Sequence, residues 1–371
     1  MLNFIYVSHF KKFDWSLIAS AVIISSVGLL SIYSSSLGKG GDFLNFKKQV
    51  IFLGIGILSM IVISFFDYRN FKENSYLILI LYSLCLLALG GLLLFADPIR
   101  GVRSWYKIGS ISLSPVEFTK VILIIILAKY FSARHIEMYR FYHIILSGFY
   151  VILPAFLVYL QPDLGSAIVL ILLWAGILIV SGIRLKHFLI LGFCGILLFC
   201  FSWSFLLKDY QKERIISFVT PEYEPLDIGW SQKQAKIAIG NGGILGKGIA
   251  NGSQTQYGFL TEPQTDFIFS AIAEEFGFLA ITILSFLFLF FFWRLIRIAL
   301  YVNNNFSRLF IFGVGIIIVA HFFINIGSNI GFLPVIGIPL PFVSYGGSSL
   351  LALFISLGVI QNMKINSLNS Q

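Results

Sequence analysis

The sequence predicts an all-α integral membrane protein that crosses the membrane about ten times. Hydrophobic residues make up 58% of the 371 positions and charged residues only 12%, whereas a soluble domain averages about 25% charged residues. The apolar residues are gathered into runs that are long enough to span a bilayer, and a single long polar segment interrupts the series. We therefore expect residues 1–371 to form a single polytopic membrane domain, with no room for a separate soluble domain.

Ten apolar runs are candidate transmembrane helices. A spanning helix needs about 20 mostly apolar residues. The fourth run fits this requirement least well, because it carries Glu117 and Lys120. The ten runs lie near Trp15–Ser36, Val50–Phe66, Tyr76–Phe95, Val116–Phe131, Ile144–Leu160, Leu164–Ile183, Phe188–Leu207, Phe267–Trp293, Leu309–Ile326 and Val343–Ile360.

The distribution of lysine and arginine predicts the orientation. If the N-terminus is cytoplasmic, the inside segments hold thirteen basic residues and the short outside loops hold six. Cytoplasmic loops carry an excess of Lys and Arg, so we expect both termini in the cytoplasm. The large loop 208–264, between the seventh and eighth helices, is then extracytoplasmic. The net charge is +9, but the basic residues are scattered over membrane-flanking turns, which argues against a nucleic-acid partner.

The large loop contains two recognisable segments. Ile228–Ile239 places apolar residues on one helical face and Lys233 and Lys236 on another, which predicts an amphipathic helix at the membrane interface. The glycine-rich segment Asn241–Gly248 follows it. Glycines in such number suit a place where the backbone turns tightly or approaches a ligand closely.

Asp266 lies between this polar loop and the apolar run of the eighth helix. An acid at that position can cap free N–H groups and meet the positive end of the helix dipole. Alternatively it has a chemical task, because an ionisable group at the membrane edge is costly without one. Glu262, Glu274 and Glu275 lie nearby in the sequence, and four carboxylates are more than capping requires.

Polar side chains also occur inside two predicted spans. Glu117 and Lys120 are three residues apart and share a helix face, so they form either an ion pair that tethers helices or part of a proton or substrate path. His321, Asn325 and Asn329 recur every four residues along the ninth span. This stripe predicts either interhelical hydrogen bonds or the lining of a cavity. One histidine with two amides is a poor ligand set, so it does not predict a metal site.

A short external loop before the fourth span carries Trp105 and Tyr106, with Arg103 and Lys107 on either side. Tryptophan and tyrosine with neighbouring cations are typical of the aromatic belt at a membrane interface. The same residues could instead form a platform for a sugar or a phosphate group. The sequence leaves both interpretations open.

Several sequence blocks together resemble the SEDS family (shape, elongation, division and sporulation), which includes the RodA, FtsW and SpoVE proteins. They follow one another over nearly the whole chain, and they resemble the rod-shape branch more than the division branch. The blocks are SWYKIG with SPVEFTK, QPDLGSA at Gln161–Ala167, ERIISFVTPEYEPL at Glu213–Leu226, QAKIAIGNGGILGKG at Gln234–Gly248, TEPQTDFIFSAIAEEFG at Thr261–Gly277 and NIGSNIGFLPVIGIPLPFVSYGGSS at Asn325–Ser349.

The resemblance implies a peptidoglycan glycosyltransferase of the bacterial cytoplasmic (inner) membrane, acting at its outer face during cell elongation. Lipid II is the implied substrate and undecaprenyl diphosphate the leaving group. The implied partners are a class B penicillin-binding protein, which is a transpeptidase, and the elongation machinery. By motif position, Asp266 corresponds to the family's catalytic carboxylate. Glu117, Lys120 and Trp105 correspond to other motif residues of the family.

This implied chemistry suits the residues present. A positioned carboxylate that accepts the proton of a sugar hydroxyl contributes about 10²–10⁴ in rate, and the diphosphate leaves without a second acid. Cations should offset the charge that develops on the diphosphate. A divalent cation, Mg²⁺ or Mn²⁺, could share that work, but the sequence shows no ligand cluster that predicts one. The candidate cations are Arg103, Lys107, Arg214, Lys233 and Lys236.

Two other functions compete with this one. A transporter that flips a lipid-linked precursor would use the Glu117–Lys120 pair and the polar stripe of the ninth span. A non-catalytic scaffold for the transpeptidase would need none of these groups. The polar residues of a transporter should lie near the membrane midplane, whereas the richest polar cluster in this sequence lies at a membrane edge. This position favours chemistry over transport.

Overall fold

A computed structural model describes residues 9–38, 41–98, 101–109, 111–134, 141–205, 212–213, 216, 218 and 228–369. Within these residues the chain is a bundle of helices with one small hairpin. The elements are α1 (Trp15–Gly38), α2 (Leu44–Ser64), α3 (Arg69–Glu73), α4 (Ser75–Phe95), β1 (Tyr106–Ile108), β2 (Ile111–Leu113), α5 (Pro115–Ala133), α6 (Phe141–Leu160), α7 (Leu164–Val180), α8 (Leu185–Phe205), α9 (Ile228–Gly242), α10 (Ser253–Gln256), α11 (Ile268–Tyr301), α12 (Asn305–Ile330) and α13 (Gly347–Asn369).

The prediction of an all-α membrane protein is confirmed, because a long helix lies at each of the ten apolar runs. Among the described residues, eight helices are long and apolar enough to cross a membrane. The two others are α5, which carries the charged residues Glu117, Lys120 and Lys129, and α7, which has 17 residues. Helices suit a lipid environment because they satisfy all their backbone hydrogen bonds internally.

Helix α5 tolerates its charges because it lies inside the bundle. Leu123, Leu127 and Phe131 are fully buried, and Lys120 is 3% exposed. Glycine allows its neighbours to approach closely: a Cβ on Gly313 of α12 would lie 2.6 Å from a side-chain carbon of Ile124 in α5. Small residues at such contacts are typical of helix packing in membranes. The charged helix α5 is therefore largely shielded from lipid.

A hairpin that the sequence did not predict precedes α5. Its strands β1 and β2 pair antiparallel, with Tyr106 opposite Leu113. The hairpin is fastened to the start of α13, because the backbone N–H of Ser114 donates to Ser348 Oγ at 2.9 Å. Ser348 Oγ in turn donates to the Ser112 carbonyl at 3.4 Å. The loop that carries Trp105 is therefore a fixed part of one end of the bundle.

An ion cluster joins three helices at the other end. Asp14, just before α1, accepts from Arg294 Nε at 2.8 Å and from Lys364 Nζ at 2.9 Å, and its side chain is fully buried. Burial alone raises the pKa of Asp14, but the hydrogen bonds from Arg294, Lys364 and Ser16 outweigh burial and lower that pKa to about 2. This carboxylate is therefore ionised. It fixes the start of α1 relative to the C-terminal parts of α11 and α13.

Helix α11 is broken at Gly277, whose backbone has φ 78° and ψ −176°. A break within a spanning helix leaves N–H and C=O groups that need partners. The glycine-rich segment Asn241–Gly248 supplies them: the carbonyl of Gly243 accepts from Phe278 N at 2.8 Å, and Lys247 N donates to the Glu274 carbonyl at 3.0 Å. The glycines thus allow the backbone of this segment to lie close to the backbone of α11.

Helix α9 lies against the first turns of α11. Ala235 is fully buried in a small cluster with Leu260, Phe267 and Ala271. The apolar face that the sequence assigned to α9 therefore contacts protein through its alanines. Its exposed face carries Lys233 and Lys236. The packing of Ala235 against Phe267 and Ala271 holds α9 next to the start of α11. Its placement at the membrane interface stays a prediction.

Replacing Gly246 by alanine should destabilise the protein by about 1–3 kcal/mol. Gly246 has φ 82°, and an added Cβ would lie 2.2 Å from the Glu275 carbonyl oxygen. The matched control is Gly240→Ala: Gly240 lies inside α9 and an added Cβ meets nothing within 4 Å, so this change should leave stability unchanged or raise it by up to about 1 kcal/mol. Thermal unfolding in detergent measures both. Equal stability of the two variants would contradict the assigned contact.

Candidate functional site

Asp266 lies at the end of the large loop, two residues before α11 begins, and is half-buried. Its backbone carbonyl accepts two hydrogen bonds from α12, one from Asn325 Nδ2 at 3.0 Å and one from Asn329 Nδ2 at 2.9 Å. The two asparagines are four residues apart, so they lie on one face of their helix. That face fixes the backbone position from which the Asp266 carboxylate extends.

Asn329 also caps α11. Its Oδ1 accepts from the backbone N–H of Ser270 at 3.1 Å and from Ser270 Oγ at 2.6 Å. Ser270 is in the first turn of α11, where N–H groups have no partner inside the helix. At this residue the cap therefore comes from a neighbouring helix. One fully buried amide side chain holds both the start of α11 and the residue that precedes it.

A second segment, between α12 and α13, closes around Asp266. Ser344 Oγ donates to the Thr265 carbonyl at 2.7 Å, and Tyr345 N donates to the Gln264 carbonyl at 2.8 Å. A Cβ on Gly337 would lie 3.9 Å from Asp266 Oδ2, so the backbone of this segment runs beside the carboxylate. The sequence blocks around Thr261–Gly277 and Asn325–Ser349 are therefore in direct contact.

Both of these segments contain a backbone conformation that is unusual for a residue with a side chain. Glu262 has φ 47° and Phe342 has φ 63°, in the left-handed region. Such conformations cost about 1–3 kcal/mol each and cluster at functional sites. The Glu262 carbonyl accepts from Thr265 N at 3.2 Å and from Phe267 N at 3.3 Å. These two hydrogen bonds hold the turn that contains Asp266 in one conformation. These two outliers support a functional site here.

The polar stripe on α12 continues into α5. Glu117 Oε1 accepts from Lys120 Nζ at 2.8 Å, and Lys120 Nζ lies 3.1 Å from His321 Nε2. His321 Nδ1 lies 3.1 Å from the Pro339 carbonyl oxygen. An ammonium only donates and a carbonyl only accepts. His321 is therefore a neutral imidazole that accepts at Nε2 and donates at Nδ1.

The polar groups of the two spans thus form one connected network. It runs from Glu117 through Lys120 and His321 to the segment beside Asp266, and His321 lies one helical turn from Asn325. The stripe makes interhelical hydrogen bonds, as one of the two interpretations predicted. Glu117 and Lys120 pair within α5, and Lys120 joins α5 to His321 of α12; any further role of the pair stays a prediction.

Glu274 and Glu275 have a structural task away from Asp266. The Glu274 carboxylate accepts from Gln254 N at 2.7 Å, Thr255 N at 3.0 Å and Thr255 Oγ1 at 2.7 Å, so it caps the short helix α10. Glu275 accepts from Gln256 Nε2 at 2.6 Å. These two acids are eight and nine residues beyond Asp266, and their hydrogen bonds to residues 254–256 explain carboxylates that capping of α11 alone does not require.

The candidate cations lie in different places. Arg103 Nη1 donates to the Leu93 carbonyl at 2.7 Å and so binds the end of α4. The Lys236 side chain passes against Gly331, at the C-terminal end of α12, where a cation is favourable to the helix dipole. Gly331 is two residues from Asn329, so Lys236 lies on the same side of the bundle as Asp266.

The other candidates are on the surface or not described. Lys233, Lys107 and Trp105 are exposed, and Trp105 and Lys107 belong to the hairpin region fastened to α13. Arg214 lies outside the described residues. In the part of the chain that the structure describes, no group of three or more His, Cys, Asp and Glu side chains is placed to hold a metal ion.

Comparison with known proteins identifies the family. The family model FTSW_RODA_SPOVE, described as "Cell cycle protein", matches residues 14–369. The chain belongs to the SEDS (FtsW/RodA/SpoVE) family. It is 35% identical to the stage V sporulation protein E of Bacillus subtilis, covering 94% of this chain and 96% of that one. It is 32% identical to the peptidoglycan glycosyltransferase MrdB of Escherichia coli, covering 94% and 91%.

Solved structures of SEDS proteins share the fold. A structure described as "Structural coordination of polymerization and crosslinking by a peptidoglycan synthase complex" matches with a TM-score of 0.82 and 29% identity, covering 96% of this chain and 98% of that one. The rod shape determining protein RodA of Thermus thermophilus matches with a TM-score of 0.72 and 27% identity, covering 96% and 97%. The helix arrangement is thus that of the SEDS family.

Replacing Lys120 by methionine should lower the free energy of unfolding by about 3–5 kcal/mol, because it leaves the largely buried carboxylate of Glu117 without its cation. The double variant Glu117→Gln/Lys120→Met removes both charges and should recover a large part of that loss. Denaturant unfolding in detergent measures both. A double variant as unstable as the single one would show that the ion pair does not account for the loss.

Proposed function

We propose that this protein is a peptidoglycan glycosyltransferase that polymerises lipid II into glycan strands and releases undecaprenyl diphosphate. The observation that carries the proposal is the fixed position of Asp266, whose backbone two asparagines of α12 hold beside a strained loop. Relatives named peptidoglycan glycosyltransferase, of similar length, support the same activity. We assign the Asp266 carboxylate as the catalytic base.

The active site faces the outside of the cytoplasmic membrane. Asn329 lies 21 residues beyond Arg308 along α12, about 32 Å, and the hydrocarbon core is about 30 Å thick. The lysine and arginine bias puts Arg308 on the cytoplasmic side, so Asp266 is at the opposite edge. The termini are then cytoplasmic, and residues 208–264 are an extracytoplasmic loop of the single membrane domain.

The reaction needs one base and an environment that accepts a diphosphate. A carboxylate oxygen of Asp266 takes the proton of the acceptor sugar's 4-hydroxyl as that oxygen bonds to the anomeric carbon of the donor. The bond from this carbon to the diphosphate oxygen breaks, and undecaprenyl diphosphate leaves. Its two phosphates already carry the negative charge well, so a paired acid of the kind found in glycoside hydrolases is not needed.

Cations around the site offset the charge on the leaving diphosphate. Lys236 and Lys233 on α9 are the best placed, because α9 packs on the first turns of α11. Lys107 and Trp105 on the hairpin side are exposed, and they remain candidates for binding the sugar or phosphate. Arg214, which lies outside the described residues, remains a candidate from the sequence. Arg103 binds the end of α4, which makes it a weaker candidate. A divalent cation, Mg²⁺ or Mn²⁺, could assist these residues.

The partner is a class B penicillin-binding protein, and the process is cell elongation. A structural relative is described as part of a peptidoglycan synthase complex that coordinates polymerisation and crosslinking, and crosslinking is the work of a transpeptidase. The names of the relatives cover sporulation, division and rod shape. The elongation role therefore rests on the sequence blocks that resemble the rod-shape branch.

Transport of lipid II is the second candidate, because a buried Glu117–Lys120–His321 network lies within the spans. Its position argues against it. Lys120 is only five residues from the start of α5, about 8 Å, whereas a transporter site should lie near the midplane. Every member of the network is also paired with another protein group, which suits a tether better than a pathway.

Replacing Asp266 by asparagine should abolish glycan polymerisation, because the amide cannot accept the hydroxyl proton. Removal of a general base costs about 10²–10⁴ in rate. The assay follows labelled lipid II with the purified protein and a penicillin-binding partner whose transpeptidase site is disabled. The matched control is Asp97→Asn, an exposed acid just after α4, which should polymerise normally. Repeating the assay with a metal chelator tests the divalent cation.

The alternatives give different results. If folded Asp266→Asn protein still made full-length glycan strands, Asp266 would not be the base. If neither the wild type nor the variant made strands while the wild type moved lipid II across vesicle membranes, the protein would be a transporter. If it did neither and still bound its partner, it would be a scaffold.

A further inference from the structure

The tip of the glycine-rich segment presents two large apolar side chains that contact little of the protein. Ile244 is 72% exposed and Leu245 is 78% exposed. Gly243 and Gly246 flank them, both with positive φ. A tight turn that projects isoleucine and leucine away from the protein is unusual for a loop in water.

The depth of this tip is fixed by its hydrogen bonds to α11. The carbonyl of Ile244 accepts from Leu279 N at 3.1 Å, and Lys247 N donates to the Glu274 carbonyl at 3.0 Å. The segment therefore lies alongside the break at Gly277, with Ile244 at the level of Leu279 and Lys247 at the level of Glu274. Its height in the membrane can be measured along α11.

Trp293 and Arg294 mark the other membrane boundary on α11, since tryptophan and cations sit at interfaces. Leu279 is 14 residues from Trp293, about 21 Å along the helix. Glu274 is five residues further from Trp293 than Leu279 is, on the other side of the break at Gly277. The hydrocarbon core is about 30 Å thick, so Ile244 lies inside the core and Lys247 at its boundary.

We propose that Ile244 and Leu245 insert into the hydrocarbon of the leaflet on the Asp266 side, as a re-entrant lipid anchor. Phe278 and Leu279 of α11, beside the tip, are 64% and 53% exposed, so the apolar surface of the tip is continuous with a lipid-facing helix. The backbone of the segment is hydrogen-bonded to α11, which meets the condition for irregular chain at membrane depth. Exposed Lys247 reaches the lipid phosphates.

The anchor has a consequence for α9. Helix α9 ends at Gly242, directly before the tip. A tip held in the lipid fixes the height of Lys233 and Lys236 relative to the lipid headgroups. This role concerns how the loop sits on the membrane, and it holds whether or not Asp266 is a catalytic base.

A depth probe tests the proposal. In full-length protein whose Cys85, Cys194 and Cys200 are replaced by serine, a nitroxide label is placed at Leu245→Cys. The protein is reconstituted in vesicles of phosphatidylcholine and phosphatidylglycerol. The readout is the ratio of collisions with oxygen, which dissolves in lipid, to collisions with a water-soluble nickel complex. Phe286→Cys, at a 66% exposed position inside α11, gives the lipid reference, and exposed Asn70→Cys in α3 gives the water reference.

We expect the ratio at Leu245 to match that at Phe286 and to exceed that at Asn70 several-fold. A ratio at Leu245 equal to that at Asn70 would overturn the proposal. Ile244→Cys is measured in the same way, so that a variant that fails to fold at one position leaves the other to decide. Variants count only if they unfold at the temperature of the unlabelled parent.

Discussion

Polar groups at membrane depth must find hydrogen-bond partners inside the protein, and α12 meets this demand around Asp266. Asn325 and Asn329 donate to the carbonyl of Asp266, and Asn329 also caps Ser270. His321, one turn away, joins the same face to Lys120 of α5. Because these groups hydrogen-bond one another, they fix the backbone of Asp266 beside the start of α11.

The same demand explains the part of the large loop that follows α9. The break of α11 at Gly277 exposes backbone groups, and Asn241–Gly248 satisfies them. The Glu274 carboxylate then caps α10, which brings the chain back over the start of α11. Residues 241–265 of the loop, the start of α11 and the segment after α12 are therefore joined by hydrogen bonds. Preorganisation of this kind is what a single catalytic carboxylate requires.

Much of the fold is readable from the sequence because runs of apolar residues report directly on spanning helices. The four-residue spacing of His321, Asn325 and Asn329 indicates interhelical hydrogen bonds, but spacing cannot name the partners, since Asp266 is 59 residues away from Asn325. The role of Glu274 was not predictable either. It depends on α10, whose path is set by contacts with α11. The hairpin at Tyr106 was not predictable for a similar reason, because it depends on the hydrogen bond from Ser114 to Ser348 of α13.

The central claim is that the asparagines of α12 hold Asp266 in position for reaction. Turnover and lipid II affinity of Asn329→Ala test it most directly, with Ser285→Ala as control, since Ser285 Oγ donates to the Ile281 carbonyl of its own helix. We predict that Asn329→Ala loses about 10- to 100-fold in kcat while lipid II binding is retained, and that Ser285→Ala behaves as wild type. Normal turnover by folded Asn329→Ala protein would contradict the account.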